Sequence, residues 1–444
     1  MMKKIVHIFF LLLLMIGQGI VSFAEEKLVL TLEESINIAL SQNPYHLASE
    51  KRIDMARAKL REAVANFFPT LNAQSQHTLD EKLFELIFPS FIPGEPPQRF
   101  SVDFTRDYQV SLSFSIPLFT GGRLSSGFKQ AKYNLRSAEE AARKSEQDTI
   151  FRTKQAFYGV LLAKEFVKVA EEAVEVAEKH FKNVKSLYEV GMASKFDLLR
   201  SEVQVANLTP QLIKARNNLR IAELALKTIL GLELDQPLEL KGELKFIPYE
   251  PDLEEATIKA LQNRPELMQL NYQRKMASEM MKLARSFHFP TIAVGGTYNF
   301  WGDRLNFGKD IWQSYYTINL ILSVPIFNGF STYAQVAESQ ALVKEIELQE
   351  KGMMEMIKFE VRQAILNLKE AKESLLSQEK NVAQAEESLR IAELNFNEGL
   401  VTTLDVSAAQ AALSQAKTNY SQALYDYVIS LAELDKAMGL TSSR

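Results

Sequence analysis

The residues best spaced for chemistry lie in two short stretches. In 188–199, Gly191 is followed three residues later by Ser194, and Asp197 stands three further on; in 396–407 the same places hold Gly399, Thr402 and Asp405. A Ser or Thr with a carboxylate at the third residue after it forms a capping box. The hydroxyl accepts a hydrogen bond from the first turn, and the carboxylate accepts one from the cap's own N–H. The chemistry on offer is hydrogen bonding and negative charge at a helix start, which the helix dipole favours. Elsewhere the five histidines (His7, His46, His77, His180 and His288) are scattered without metal-ligand spacing, and no phosphate loop or nucleophile motif accompanies them. The expectation is no enzyme, no cofactor and no metal site.

Helices must position these carboxylates. Glycine takes the left-handed conformation that ends a helix, so Gly191 and Gly399 read as the residues just past two helix ends. Each stretch is then the tip of a long antiparallel hairpin, with tips at 190–194 and 398–402. From 124 to 189 the helical pattern hardly breaks: Ala156, Val160, Ala163, Val167, Ala170, Val174, Ala177, Phe181, Val184 and Tyr188 step by four and three. A second seam (Leu162, Phe166, Val169, Ala173, Val176) runs beside it. Two seams mean two neighbours, which suits the wall of a helical barrel. The returning helix, 194–230, has its own heptad seam, in which Pro210 predicts a kink or local break.

The whole pattern occurs twice. Leu32–Pro44 aligns with Leu253–Pro265, and Pro290 stands 221 residues after Pro69, whereas Gly399 stands 208 after Gly191, so the first copy carries 13 extra residues. A two-copy array is too short for a solenoid, which needs at least three repeats; a pseudo-symmetric protomer that closes by oligomerising fits better. The expected first repeat is 25–231, with helix 33–66, strands 66–78 and 106–117, long helix 124–189 and helix 194–230. The second is 251–444, with helix 253–288, strands 290–301 and 312–325, long helix 332–397 and helix 402–438. Pro44 and Pro265 bend or restart their helices, and the proline-rich 232–250 is the linker.

Val110, Leu112, Phe114 and Ile116 alternate with Gln109, Ser111, Ser113 and Ser115, and Ile318, Leu320, Leu322 and Val324 alternate mostly with polar residues. Such strands, about 9–11 residues long with aromatics at the ends, suit a membrane-spanning barrel. One face of a soluble antiparallel sheet would alternate in the same way. Barrels start at about eight strands, so a protomer with half that number must share a barrel with other copies. The strand-to-helix exits match as well: Pro117 with Gly121, and Pro325 with Gly329, read as swivels because proline ends a ladder and glycine permits the turn. The extra residues fall in a proline- and aromatic-rich loop, 83–97.

Composition supports export. Lys3 and Lys4, the apolar run Ile5–Ile16 and the small-residue site ending at Ala24 read as a signal peptide, 1–24. The chain has no cysteine, so no disulfide staples it. Its formal net charge is −4, becoming −6 without Lys3 and Lys4, which argues against nucleic acid as a partner. Two non-enzymatic readings remain: an outer-membrane channel, or a periplasmic coiled-coil scaffold or adaptor without a pore. The strands favour the channel.

The two copies, the Asn-Pro44 and Arg-Pro265-Glu-Leu267 helix starts, the Phe-Pro-Thr strand entries, the Pro-Leu/Ile-Phe swivels and the paired glycine tips together resemble the TolC-like outer-membrane efflux proteins. The resemblance covers essentially the whole chain after the leader. It implies a mainly α fold with a transmembrane β-barrel portion: a homotrimer in which four strands per protomer build a 12-stranded barrel continuous with a periplasmic α-helical barrel. It also implies passive export after docking to a periplasmic adaptor (membrane fusion protein) and an inner-membrane transporter, with outer-membrane lipid around the barrel. Docking would map to the tips, Val190, Gly191, Met192, Glu398, Gly399 and Leu400. A periplasmic gate would map to Asp405, with Asp197 its first-copy equivalent. Ala408 stands where the family pattern has a second aspartate. Three symmetry-related carboxylates at a constriction would favour cations, while capping alone also accounts for both residues.

Overall fold

In a computed structural model of the chain, residues 28–79, 84–102, 108–302 and 312–440 are described. The expected signal peptide, and the first two residues of the expected strand 106–117, lie outside them. The first repeat runs β1 (Leu28–Leu30), α1 (Leu32–Gln42), α2 (Pro44–Ala65), β2 (Thr70–His77), β3 (Phe84–Phe88), β4 (Gln98–Val102), β5 (Tyr108–Phe119), α3 (Arg123–Glu189) and α4 (Lys195–Leu230). The second runs β6 (Leu238–Leu240), α5 (Leu253–Asn263), α6 (Pro265–Ser286), β7 (Thr291–Gly302), β8 (Trp312–Ser323), α7 (Ser331–Asn397) and α8 (Thr403–Ala437). Contacts group these into two compact units, each drawing on both repeats. One takes its described residues from Met1–Leu47, Ser145–Gln262 and Lys358–Arg444, the other from Ala48–Lys144 and Asn263–Ile357.

The expected helices 33–66 and 253–288 are each two helices. Proline pushes the residue before it out of the helical region, and Asn43 (ψ 120°) and Arg264 (ψ 118°) are extended accordingly. Asn43 turns the interruption into an anchor. Its Oδ1 accepts from the Tyr45 and His46 N–H groups at 2.9 and 3.1 Å, while its Nδ2 donates to the Ile229 carbonyl at 2.8 Å. The same contact zone needs Gly231, whose φ is +72° and where an added Cβ would stand 2.7 Å from the Gln42 carbonyl oxygen.

The helical unit has a core of Leu30, Ala39, Phe157, Val160, Leu161, Leu226 and Leu230. The segment 232–250 is more than a linker: its β6 pairs in parallel with β1, Leu28 opposite Leu238 and Leu30 opposite Leu240. Tyr427, 1% exposed, fixes the rest of it, donating from its hydroxyl to the Ile247 carbonyl at 2.8 Å and accepting from the Tyr249 N–H at 3.1 Å. The local break expected at Pro210 is absent, since α4 continues through it to Leu230. On the long-helix seams Val160, Ala163, Val169, Ala177 and Val184 are buried.

In the other unit four strands form one antiparallel sheet in the order β2-β5-β7-β8. The inserted segment makes its own antiparallel hairpin, β3 with β4. Pro117 does not end its strand as expected. β5 carries the ladder past it to Phe119 with a register shift between them, so a bulge accommodates the missing donor. β8 does stop, at Ser323, before Pro325.

Candidate functional site

Strand register assigns the sheet two faces. Leu71 pairs with Phe114 and Ala73 with Leu112; Phe114, Leu112 and Val110 pair with Gly296, Tyr298 and Phe300; Gly296 and Val294 pair with Ile318 and Leu320. Cross-strand partners share a face, so these residues make one apolar surface. Ile318 and Leu320 are 68% and 70% exposed: among the described residues no other layer covers that face there. The residues between them form the opposite surface: Asn72, Gln74 and Gln76, then Ser111, Ser113 and Ser115, then Thr297 and Asn299, then Thr317 and Asn319. There the Thr297 and Thr317 hydroxyls meet at 3.1 Å. The outer strands, β2 and β8, each have one edge unpaired within the sheet. A sheet apolar on a bare face, polar on the other and open at both edges has no core of its own.

Two glycines within it are covered by aromatic rings. A Cβ at Gly296 would collide with the Phe114 ring of the neighbouring strand, and one at Gly302 would stand 3.0 Å from the Trp312 indole. Each ring lies over its register partner, an arrangement that shields glycine backbone in sheets. Aromatic pairs continue toward the strand ends, with Tyr298 against Phe300 at 4.5 Å and Trp301 against Tyr315 at 5.0 Å.

The exits from the sheet use left-handed backbone. Gly121 and Gly122 have φ of +62° and +90°, and Gly329 and Phe330 both have +64°. Gly121 is required twice over, since a Cβ there would also lie 2.8 Å from the Ser286 carbonyl oxygen. Phe330 is the one non-glycine with positive φ among the described residues, a strained position that the sequence did not signal.

At the tips, α3 ends with the Met192 N–H donating to the Leu187 carbonyl at 2.8 Å and Gly191 N–H to Tyr188 at 3.0 Å. In α7, Leu400 N–H donates to Asn395 at 2.8 Å and Gly399 N–H to Phe396 at 3.0 Å. Both are Schellman endings around a left-handed glycine, with φ +79° and +72°. They leave Val190, Met192 and Leu400 70%, 78% and 74% exposed. Asp197 accepts from the Ser194 N–H at 3.3 Å and hydroxyl at 2.5 Å, and Asp405 accepts from the Thr402 N–H at 2.8 Å and hydroxyl at 2.7 Å. The Thr402 hydroxyl and then its N–H hold the Asp405 carboxyl below the usual aspartate value, with a smaller share from the Arg200 charge.

Just behind the tips the two hairpins touch through His180 against the Phe396 ring at 5.0 Å and Asn183 donating to Asn397 at 3.3 Å. Burial pushes the His180 imidazole below its ordinary value. In the sheet-bearing unit His77 is stacked on Tyr108 and His288 lies against Tyr333. The structure thus brings each carboxylate to its own cap, and among the described residues no group of three or more His, Asp or Glu is placed to hold a metal ion.

A two-faced sheet without a core, joined in sequence to long helical hairpins, defines a class: channel proteins that complete a β-barrel in an outer membrane. The chain belongs to the outer membrane efflux protein family, which matches residues 35–232 and 258–440. Outer membrane protein TolC of Vibrio cholerae serotype O1 is 27% identical over 373 residues, 77% of this chain and 82% of that protein. The probable outer membrane lipoprotein SilC of Salmonella typhimurium is 22% identical over 413 residues, 91% of this chain and 84% of that one. The crystal structure of the Campylobacter jejuni CmeC outer membrane channel superposes with a TM-score of 0.76 at 17% identity, covering 92% of this chain and 85% of that one. The protein is an outer-membrane efflux channel that extends into the periplasm.

Proposed function

We propose that three copies of the chain join edge to edge, β2 of one beside β8 of the next, and close a 12-stranded barrel whose apolar face meets lipid and whose polar face lines a water-filled pore. The observation that carries this is the sheet itself: among the described residues both edges are unpaired, one face is apolar and bare, and the other is polar. Unpaired strand edges are not tolerated in hydrocarbon, so closure by further copies satisfies them. A periplasmic scaffold without a pore has no use for such a sheet.

The long hairpins continue the conduit on the periplasmic side, and their exposed tips, Val190 to Met192 and Glu398 to Leu400, dock a periplasmic adaptor coupled to an inner-membrane transporter. The chain itself supplies no energy and conducts passively. Asp405, exposed beside the tip, forms one carboxylate per copy at the periplasmic mouth and favours cations there. Pro117 with Gly121 and Pro325 with Gly329 redirect the chain between strand and helix.

The test uses the cysteine-free background. Single cysteines at Gln74 on β2 and at positions along β8 are combined in one chain. Disulfides that link three copies into a covalent ring in isolated outer membranes support the arrangement; cross-links confined to single chains refute it.

A further inference from the structure

His180 stands on α3 where the two hairpins meet, and neither the fold nor the docking tips make use of its ability to take up a proton. Three residues before it and four after, Ala177 and Val184 are 2% and 0% exposed, so this face of the helix is buried on both sides of it. The imidazole meets the ring of Phe396 on α7 in a T-shaped contact, 5.0 Å between centroids. Phe396 in turn packs on Leu389, Val406 and Ala409 of the second hairpin. The His180 Nε2 is shut off from water and has no hydrogen-bond partner among the described residues. In a neutral imidazole one nitrogen carries a proton and the other a lone pair, whereas in the cation both carry protons. Protonation therefore leaves a donor without an acceptor and a charge without a counter-ion inside the contact, which is costly.

We propose that His180 and Phe396 form an acid-sensitive latch that holds the two hairpins together behind their tips and lets them part when His180 is protonated. On the surrounding turns stand Lys179 and Lys182 of α3, Arg200 and Glu202 of α4, Glu393 of α7 and Asp405 of α8. None of these charges offsets the burial, which alone lowers the imidazole value. The contact is therefore intact above the ordinary value of 6.5, and it weakens as pH falls from there toward the depressed one. Asp405, held below 3.8, stays ionised over that range, so its cap does not respond. The neighbouring hydrogen bond from Asn183 to Asn397 is between neutral groups. Farther from the tips, Lys417 of α8 joins Glu172 of α3 at 2.9 Å and Glu386 of α7 at 3.6 Å. The Glu172 hydrogen bond raises the Lys417 value, so this tie keeps its charge in mild acid. The hairpins thus stay fastened there while the latch releases nearer the tips. That the loosened tips form the periplasmic mouth rests on the reading proposed above; the latch itself lies within one chain.

The experiment uses the full-length protein in lipid nanodiscs and compares it with His180→Phe, which keeps a ring against Phe396 but cannot titrate. Amide hydrogen exchange is followed in the segments 176–189 and 389–400, between about pH 7.5 and about pH 5. Taking the ratio of the two proteins at each pH cancels the pH dependence of exchange itself. The ratio is expected to lie near one at neutral pH, and in acid the unaltered protein should exchange about fivefold or more faster than the variant. A ratio that stays flat, or equal acid loosening in both proteins, would overturn the proposal. Should His180→Phe fail to fold, NMR of the unaltered protein decides. The His180 and Phe396 ring signals should then shift together with a midpoint below 6.5, and a midpoint at or above that value would overturn the latch. Because exchange and NMR need no pore, failure here leaves the channel reading standing, and failure of the channel reading leaves the latch standing.

Discussion

Adjacent residues of β8 make opposite demands. Ile318 stands near the middle of the strand on the bare apolar face, 68% exposed in the single chain and opposite Gly296, while Asn319 points to the other face opposite Gly295. In the closed barrel Ile318 meets hydrocarbon and Asn319 meets water. A lysine on the lipid face near the bilayer midplane costs about 2–4 kcal/mol per copy, and the same change facing the lumen costs little. Summed over three copies, Ile318→Lys therefore destabilises the assembled channel by roughly 6–12 kcal/mol. Both register partners, Gly296 and Gly295, are glycines, so neither substitution removes a directly opposite side-chain pair. The two variants are compared by the amount of assembled protein in outer-membrane fractions and by the temperature at which the detergent-solubilised oligomer dissociates. Ile318→Lys should lose most of the oligomer, and Asn319→Lys should match the unaltered protein. Equal tolerance of the two, or greater damage from Asn319→Lys, would refute the assignment of faces.

The remaining predictions concern the helical unit. Gly399→Ala meets open space and pays only for its φ of +72°, about 1–2 kcal/mol, whereas Gly231→Ala has the same φ and also places a Cβ 2.7 Å from the Gln42 carbonyl oxygen. Chemical denaturation should rank Gly231→Ala as clearly the more damaging. Tyr427→Phe removes the partner of both the Ile247 carbonyl and the Tyr249 N–H, and a cost of about 1–3 kcal/mol is expected for groups stranded in this way. The same denaturation measurement checks it. For Asp405 the folded-state value lies below the ordinary 3.8, so its cap contributes fully above that value and fades only as pH falls through the depressed one. The stability gap between the unaltered protein and Asp405→Asn should hold steady from neutral pH to about pH 5 and close only in stronger acid. If Asp405 also tunes the mouth, Asp405→Ala loses cation preference in bilayer recordings; an unchanged preference leaves capping as its whole role.

Much of this architecture was readable because it rests on local rules. Left-handed glycine at Gly191 and Gly399, the Ser194–Asp197 and Thr402–Asp405 boxes, and the alternation of β5 and β8 are each written in consecutive residues. What escaped notice depends on partners distant in the chain. The pairing of β1 with β6 joins two three-residue strands more than two hundred positions apart, too short to show a period. Gly296 under Phe114 requires the register between β5 and β7 before either residue has meaning. Pro117 misled for the opposite reason: a local rule ended the strand there, and a bulge carried it on to Phe119. Pro210 likewise left α4 continuous to Leu230.

The central claim is that this chain, with copies of itself and nothing else, makes a water-filled pore. The most direct measurement is conductance of the purified protein in planar lipid bilayers. The account predicts discrete, stable conductance steps, abolished by Ile318→Lys and retained by Asn319→Lys. Folded protein that inserts no steps, and that alkaline washing strips from outer membranes, would contradict it.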